Sequence, residues 1–225
     1  MFVNFLFPKR CLGCGKNGKY FCSSCIKKIK PLEPQIYSGI DAIDGLFCIF
    51  PYQGIIRKAI LKLKYNFVSD LANEFNDLAA RLLKLPIFDC SDCLTLIPIP
   101  LHWHRKNWRG FNQVEILGKR FTQRLKINFS PDLLVRVRAT KPQARLKGKQ
   151  AKQKRKENVK DAFRINPKYS LNILISQYPN ILLFDDVWTT GATMKECARV
   201  LKNAGAKKVF GLTLTRKIAR RTLVR

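Results

Sequence analysis

The sequence predicts an α/β protein in which helices cover both faces of a mainly parallel sheet, preceded by a small metal-binding module. Short apolar runs alternate along the chain with amphipathic segments of helical period, which is typical of a parallel sheet. Two C-x-x-C pairs stand close together near the amino terminus. The 225 residues are enough for one substantial core and a small appendage.

The composition predicts an anionic partner. The chain has 43 Lys and Arg against 15 Asp and Glu, a formal net charge of +28. Such a field attracts nucleic acids, phosphorylated metabolites or anionic lipid head groups. The sequence has no run of 18 apolar residues, and "MFVNFLFPKR" is too short for a signal peptide. We therefore expect a cytoplasmic protein that is not an integral membrane protein.

The first element is the stretch "CLGCGKNGKYFCSSC", whose cysteines are Cys11, Cys14, Cys22 and Cys25. Each pair can present two thiolates from one tight turn, and two such turns make the tetrahedral S4 site that Zn²⁺ accepts. Four protein ligands leave no open position for chemistry, so we predict structural Zn²⁺. A redox dithiol or unligated thiols are the alternatives.

The remaining cysteines and the following residues bear on domain organisation. Cys90 and Cys93 form a third C-x-x-C with no fourth ligand in view, which favours a surface loop. Cys48 and Cys197 lie in apolar settings and are expected in the core. The Pro and Gly residues of "PLEPQIYSG" indicate a linker. We therefore predict a zinc module over residues 1–40 and a larger domain over 41–225.

The larger domain alternates helical stripes with strand-like runs. Helical stripes are predicted at Ile56, Ile60 and Leu63; at Leu71, Phe75, Leu78, Leu82 and Leu85; at Val114, Leu117, Phe121 and Leu125; and at Met194, Cys197, Ala198 and Leu201. Strands are predicted at "LFCIF", "TLIPIP", "NILLFDDV" and "KKVFGLTLT". Residues 136–160 hold eleven Lys or Arg and one acid, so they cannot bury a core. A mobile segment that an anionic partner orders and a solvated charged loop are both compatible with this pattern.

The stretch "ILLFDDVWTTGATM" carries the main candidate site. An apolar strand, residues 181–184, ends in Asp185 and Asp186, and a helix follows. The small residues between them leave backbone amides clear at the helix start, which suits a phosphate. These residues are Thr189, Thr190, Gly191, Ala192 and Thr193. A sugar phosphate explains both the acidic pair and the turn that follows it, because its phosphate fits the backbone amides and its ribose hydroxyls can donate to the carboxylates. The alternative is a helix-capping acid in an ordinary turn.

"LLFDDVWTTGATM" resembles the phosphoribosyl pyrophosphate (PRPP) loop of type I phosphoribosyltransferases. With the doubled C-x-x-C, "IPIPLHWHRKNWRGFNQ" and "KENVKDAF", the chain resembles the ComF (ComFC) family over nearly its whole length. That family joins a zinc finger to a type I phosphoribosyltransferase-like domain and is associated with DNA uptake in natural competence. The resemblance implies that this α/β domain is phosphoribosyltransferase-like.

The resemblance also implies site roles. Asp185 and Asp186 would hold ribose and assist Mg²⁺, and residues 189–193 would hold the 5′-phosphate. Arg105, Lys106 and Arg109 would neutralise pyrophosphate, with Arg105 and Arg109 stabilising its departure from C1′ if catalysis occurs. A basic loop near the sheet edge is the alternative for these three residues.

Three functional interpretations remain open at this point. The preferred one is a competence accessory protein that binds PRPP, Mg²⁺ and single-stranded DNA, in the cytoplasm or at the inner face of the membrane, with a DNA-uptake helicase as a candidate partner. Trp103 and Trp108 could stack bases, although packing is the favoured use of each. The others are an active phosphoribosyltransferase of nucleotide metabolism and a non-catalytic PRPP-sensing regulator.

Overall fold

A computed structural model describes residues 8–33, 36–65, 68–83, 94–103, 107–108, 110–139, 153, 157–169 and 178–218. The strands are β1 (Gly45–Pro51), β2 (Leu94–Pro98), β3 (Asn128–Phe129), β4 (Leu134–Arg136), β5 (Phe163–Ile165), β6 (Asn180–Trp188) and β7 (Lys208–Arg216). The helices are α1 (Ser23–Ile26), α2 (Gly54–Tyr65), α3 (Ser69–Leu82), α4 (Gln113–Leu125) and α5 (Ala192–Asn203). Within these ranges, no helix combines the length and the apolarity that crossing a lipid bilayer requires.

The main sheet has five strands in the order β1-β7-β6-β2-β3, and every neighbouring pair is parallel. The predicted parallel α/β architecture is therefore confirmed. From β6 the chain passes through α5 to β7 on one side, and from β2 it passes through α4 to β3 on the other. The direction of winding thus reverses between β2 and β6. In open α/β sheets, ligands bind outside the carboxyl ends of the strands at this reversal.

Helices cover both faces of the sheet, as predicted. On one face, α2, α3 and α4 bury the stripes that begin at Ile56, Leu71 and Val114. On the other face, α5 and the separate antiparallel pair of strands β4 and β5 pack on the sheet. Cys197 lies in this second core and is fully buried, and Cys48 is also buried. The helical spacing of apolar residues therefore identified the buried face of α2, α3, α4 and α5, while Leu85 of the second stripe lies outside the described residues.

The cysteine-containing module packs on the face that carries α2 and α3. Its Phe21 is 2% exposed, and its ring stacks on that of Phe75 with centroids 5.8 Å apart. The amide of Phe21 donates to Glu74 at 3.0 Å, and Lys58 Nζ donates to the carbonyl of Leu12 at 3.0 Å. The module therefore shares a core with the larger domain. The boundary near residue 40 stays a prediction.

The predicted linker runs along the outer side of β1. The amide of Leu32 donates to the carbonyl of Ile49 at 2.8 Å. Tyr37 and Leu46 exchange two backbone hydrogen bonds, of 3.0 and 3.1 Å. The described part of the linker is therefore fixed to the sheet edge at Leu32 and Tyr37 and is more than a spacer.

Candidate functional site

The four amino-terminal cysteines form one cluster. Their Sγ atoms all lie within 4.8 Å of one another. Burial disfavours the Cys11 thiolate, but hydrogen bonds from the backbone amides of Cys22, Cys14 and Gly13 outweigh it and lower the pKa of Cys11 to about 6. Hydrogen bonds with Cys22 and Cys11 favour the protonated thiol of Cys25 and raise its pKa to about 12, and repulsion by the Cys11 thiolate adds to this shift. A divalent cation removes that repulsion, so the residues fit a structural Zn²⁺.

The acidic pair lies near the carboxyl end of a strand, as predicted, and β6 extends two residues beyond Asp186. Strand β6 continues to Trp188 because β7 still pairs with it there, opposite Arg216. Strand β2 stops earlier, with Pro98 opposite Phe184, and the amide of Ile99 donates to the carbonyl of Phe184 at 2.9 Å. Asp185 and Asp186 therefore lie where β6 no longer pairs with β2, at the point where the direction of winding of the sheet reverses.

Asp186 is buried and held by three polar groups. Lys64 Nζ lies 2.9 Å from each of its carboxylate oxygens. Gln113 Nε2 donates to Oδ2 at 3.0 Å, and the Thr215 hydroxyl donates to the Asp186 carbonyl at 2.9 Å. Burial lowers the pKa of Lys64, but the charge of Asp186 and the hydrogen bond to it outweigh this and raise that pKa. The ammonium therefore stays charged against Asp186.

Asp185 has a different environment. Its Oδ1 accepts the amide of Asp186 at 2.8 Å. Burial, followed by the negative charge of Asp186, raises the pKa of Asp185 to about 7 against the opposing charge of Lys64. Among the residues that the structure describes, no side chain donates a hydrogen bond to Asp185. Asp185 is thus the member of the pair with carboxyl oxygen available for a ligand.

The loop between β6 and α5 is short and tightly built. Helix α5 begins at Ala192, and Gly191 adopts φ 73° at its N-cap. A Cβ on Gly191 would overlap the Trp188 ring beneath it. Thr190 Oγ1 accepts the Ala192 amide at 3.4 Å, while the Thr193 amide lies in the first turn, where no intrahelical carbonyl is available. The predicted phosphate-binding residues therefore lie together beside the acidic pair.

The segment that follows β2 begins and ends beside Phe184 of β6. Its first residue, Ile99, bonds Phe184, and its last residue, Asn112, donates to the Ile99 carbonyl at 3.4 Å while accepting the Val114 amide at 3.1 Å. Gln113 follows directly and contacts Asp186. The two ends of this segment, which we call the β2–α4 loop, therefore lie together beside β6.

Several predicted residues fall outside the described ranges. They are Arg105, Lys106 and Arg109 of that loop, Cys90 and Cys93, and most of the basic segment (140–152 and 154–156). The pyrophosphate role of the loop cations stays a prediction.

Trp103 and Trp108 belong to this loop and are exposed. Their exposed fractions are 56% and 72%. The expectation that packing is the favoured use of these rings is therefore wrong for both. The ring of the buried His102 contacts that of Trp103, with centroids 5.6 Å apart. Both rings thus present large aromatic surface to solvent.

Comparison with known proteins gives the family. A double zinc ribbon domain matches residues 2–36, the range that holds the four cysteines. Competence protein F of Haemophilus influenzae is 28% identical over 208 residues, covering 88% of this chain and 81% of that protein. DNA utilization protein YhgH of Salmonella typhimurium is 36% identical over 195 residues, covering 84% and 74%. The chain belongs to the ComF family. Competence protein ComFC of Bacillus subtilis is 27% identical over 170 residues, covering 75% and 62%.

In this ComF-family chain, sequence reasoning missed the residues that hold Asp186. Lys64 carried a usable signal, since it lies four residues after Ile60 and so continues the buried stripe of α2. A lysine on a buried helix face needs a buried acceptor or anion. Gln113 gave no comparable signal, because its partner is 73 residues away in the chain. The glycine at position 191 was noted, but the Trp188 ring beneath it was not.

Proposed function

We propose that this ComF-family protein binds PRPP with Mg²⁺ at the carboxyl edge of β6 and serves the uptake of single-stranded DNA. The observation that carries the PRPP proposal is the meeting of two loops at one point. The loop after β2 is anchored on Phe184 and Asp186, and the loop after β6 starts three residues beyond Asp186. This point is the reversal of the sheet, where α/β folds bind ligands.

Each part of the site has a distinct task in this proposal. The first-turn amides of α5 and the hydroxyls of Thr190 and Thr193 take the 5′-phosphate. Asp185 faces the ribose hydroxyls and supplies a hard oxygen to Mg²⁺, which commonly uses one or two carboxylates together with substrate phosphates. Asp186 fixes the strand through Lys64 and Gln113. Mg²⁺, when bound, neutralises pyrophosphate charge.

The DNA part of the proposal is supported by the relatives and by charge. The relatives are named for competence and for DNA utilization. The net charge of +28 provides the phosphate-neutralising field that sequence-independent DNA binding needs. The exposed rings of Trp103 and Trp108 offer surfaces on which unpaired bases can stack.

Calorimetric titration of PRPP in the presence of Mg²⁺ tests the first part. We expect binding by the wild type and at least a roughly tenfold weaker affinity for Asp185→Asn, because one charge-assisted contact is removed. Asp132→Asn is the matched control, since that carboxylate pairs with Lys168 on the β4–β5 side and is 46% exposed. No heat of binding with the wild type would overturn the assignment. Pyrophosphate release on addition of candidate acceptors would identify an active transferase.

Fluorescence anisotropy with a labelled single strand tests the second part. The logarithm of the affinity should fall linearly with the logarithm of the salt concentration, because bound phosphates release counterions. An affinity that stays constant from low to moderate salt would contradict DNA binding through this basic surface.

A further inference from the structure

A cavity of about 440 Å³ lies where the zinc module meets the larger domain. On the module side its walls include Cys14 and Cys25, two of the predicted zinc ligands, and on the other side they come from the end of β1 and the first turn of α2. Of the described residues, none from the acidic pair or from the loop before α5 lines it. The cavity is therefore separate from the proposed PRPP site. Its volume and its position between two structural units are both typical of ligand sites.

The walls combine apolar surface with cations at the mouth. Ile29, Pro51 and Ile55 supply the apolar part. Lys28, Lys30 and Gln53 also line the cavity, and all three are exposed. Within the described part of the chain, neither lysine has a carboxylate in ion-pair range. An occupant with a flat apolar body and an adjoining negative charge would match this lining.

The two segments that form the cavity are mainly basic, although Lys9 is paired with Asp70 and Lys64 with Asp186. Residues 8–33 contain a single acid, Glu33, and α2 contains none. The basic residues of the two segments are Lys9, Arg10, Lys16, Lys19, Lys27, Lys28, Lys30, Arg57, Lys58, Lys62 and Lys64. A field of this kind selects a polyanion over an isolated metabolite, because a polyanion can engage several cations at once.

We propose that this cavity receives one unstacked base of single-stranded DNA, whose flanking phosphates lie against Lys28 and Lys30. The proposal rests on the DNA function proposed above and is independent of PRPP. A base gains from the apolar walls through its π-face, and the Gln53 amide can donate to or accept from its edge. Duplex DNA keeps its bases stacked inside. A membrane surface is met by projecting apolar side chains, which a concave cavity does not supply.

Anisotropy on the intact, zinc-loaded protein tests the proposal with two strands of equal length, oligothymidine and an abasic deoxyribose phosphate. The wild type should bind oligothymidine at least about tenfold more tightly, since the base in the cavity contributes on the order of 1–3 kcal/mol and bases stacked on Trp103 and Trp108 add to it. Gln53→Trp fills the cavity and should reduce this preference by about tenfold while leaving the salt slope unchanged. If that variant does not retain zinc, Gln53→Phe gives the same block with a smaller ring.

Charge reversal tests the phosphate contacts. Lys28→Glu should weaken both strands and lower the salt slope by about one, as expected when one phosphate contact is lost. Lys207→Glu is the matched control, because Lys207 is exposed just before the amino end of β7, and the cavity lies at the carboxyl end of the neighbouring strand β1. It should change neither affinity by more than about twofold.

The outcomes separate the two proposals. Absence of single-strand binding by the wild type defeats the DNA function and this inference with it. Binding with an undiminished base preference in the filled variant defeats the cavity assignment alone. If Lys28→Glu keeps its DNA affinity but loses binding to phosphatidylglycerol vesicles, the surface docks on a membrane and the inference is overturned.

Discussion

The ammonium of Lys64 lies 2.9 Å from each carboxylate oxygen of Asp186, and this ion pair joins α2 to the central strand β6. The side chain of Asp186 is 7% exposed and that of Lys64 is 22% exposed. A buried pair of this kind depends on both partners, since removal of one leaves an uncompensated charge away from water.

Lys64→Met should therefore lower the free energy of unfolding by about 3 kcal/mol. Urea or guanidinium denaturation at neutral pH measures this change. Arg57→Met on the same helix is the control, because Arg57 is exposed, and it should stay within about 0.5 kcal/mol of the wild type. Equal effects of the two substitutions would show that Asp186 does not depend on Lys64.

Gly191→Ala should destabilise the protein more than the same substitution at a positive-φ glycine that has open space around it. Gly39 has φ 69° with nothing within 4 Å of an added Cβ, so Gly39→Ala isolates the backbone strain of about 1–2 kcal/mol. Gly191→Ala has similar strain and adds overlap with Trp188, for a total above about 3 kcal/mol. Thermal unfolding of both variants gives the comparison, and similar melting temperatures would rule out the overlap.

Zinc removal should loosen part of the larger domain as well as the module. Phe21 stacks on Phe75, which stacks in turn on Phe50 at 5.8 Å, so the module completes the core above α3. After chelation, hydrogen exchange should rise in residues 8–33 and in α3, while β6 and β7 stay protected. Cys48→Ser is the control, since Cys48 lies in the opposite core and its loss should leave the zinc content unchanged. Unchanged exchange in α3 would mean that the module is energetically independent.

The contact between Glu196 and Arg199 predicts a pH dependence. Hydrogen bonds from Arg199 lower the pKa of Glu196 from its ordinary value of 4.5, burial opposes this, and the Asp161 amide adds a donor at 2.7 Å. Because the folded-state pKa is the lower one, the stabilisation is present above pH 4.5 and is lost as the pH falls through that lowered value. Glu196→Gln should therefore cost about 1 kcal/mol at pH 7 and much less at about pH 3.

Urea midpoints at the two pH values check this difference. Asp41→Asn is the control, because Asp41 is 81% exposed beside Lys195 of the same helix. A Glu196→Gln deficit that is constant with pH would show a loss of packing in place of a charge effect.

The sequence was most informative where a residue's partners are local. The stripe of Met194, Cys197, Ala198 and Leu201 predicted the buried face of α5 because helical spacing alone sets which side chains share a face. The doubled C-x-x-C predicted its cluster because each pair is formed within one turn. Such features need no knowledge of the rest of the fold.

The sequence was least informative where partners are distant. The point where β6 ends depends on how far β7 pairs with it and on where β2 stops. The residues of β6 do not determine the length of either neighbouring strand. The difference between Asp185 and Asp186 likewise comes from Lys64, more than a hundred residues earlier in the chain. Two adjacent acids thus looked equivalent in sequence and have unlike surroundings in the fold.

The stretch fixed along β1 has a consequence for self-association. A bare outer strand offers its amides and carbonyls to any other extended chain, which makes it a template for aggregation. Backbone bonds from Leu32 and Tyr37 occupy that side of β1, and the strand at the opposite border, β3, is only two residues long. Because Leu32 lies within the range matched by the double zinc ribbon, release of the metal would free this cover, and the zinc-free protein should associate edge to edge through β1.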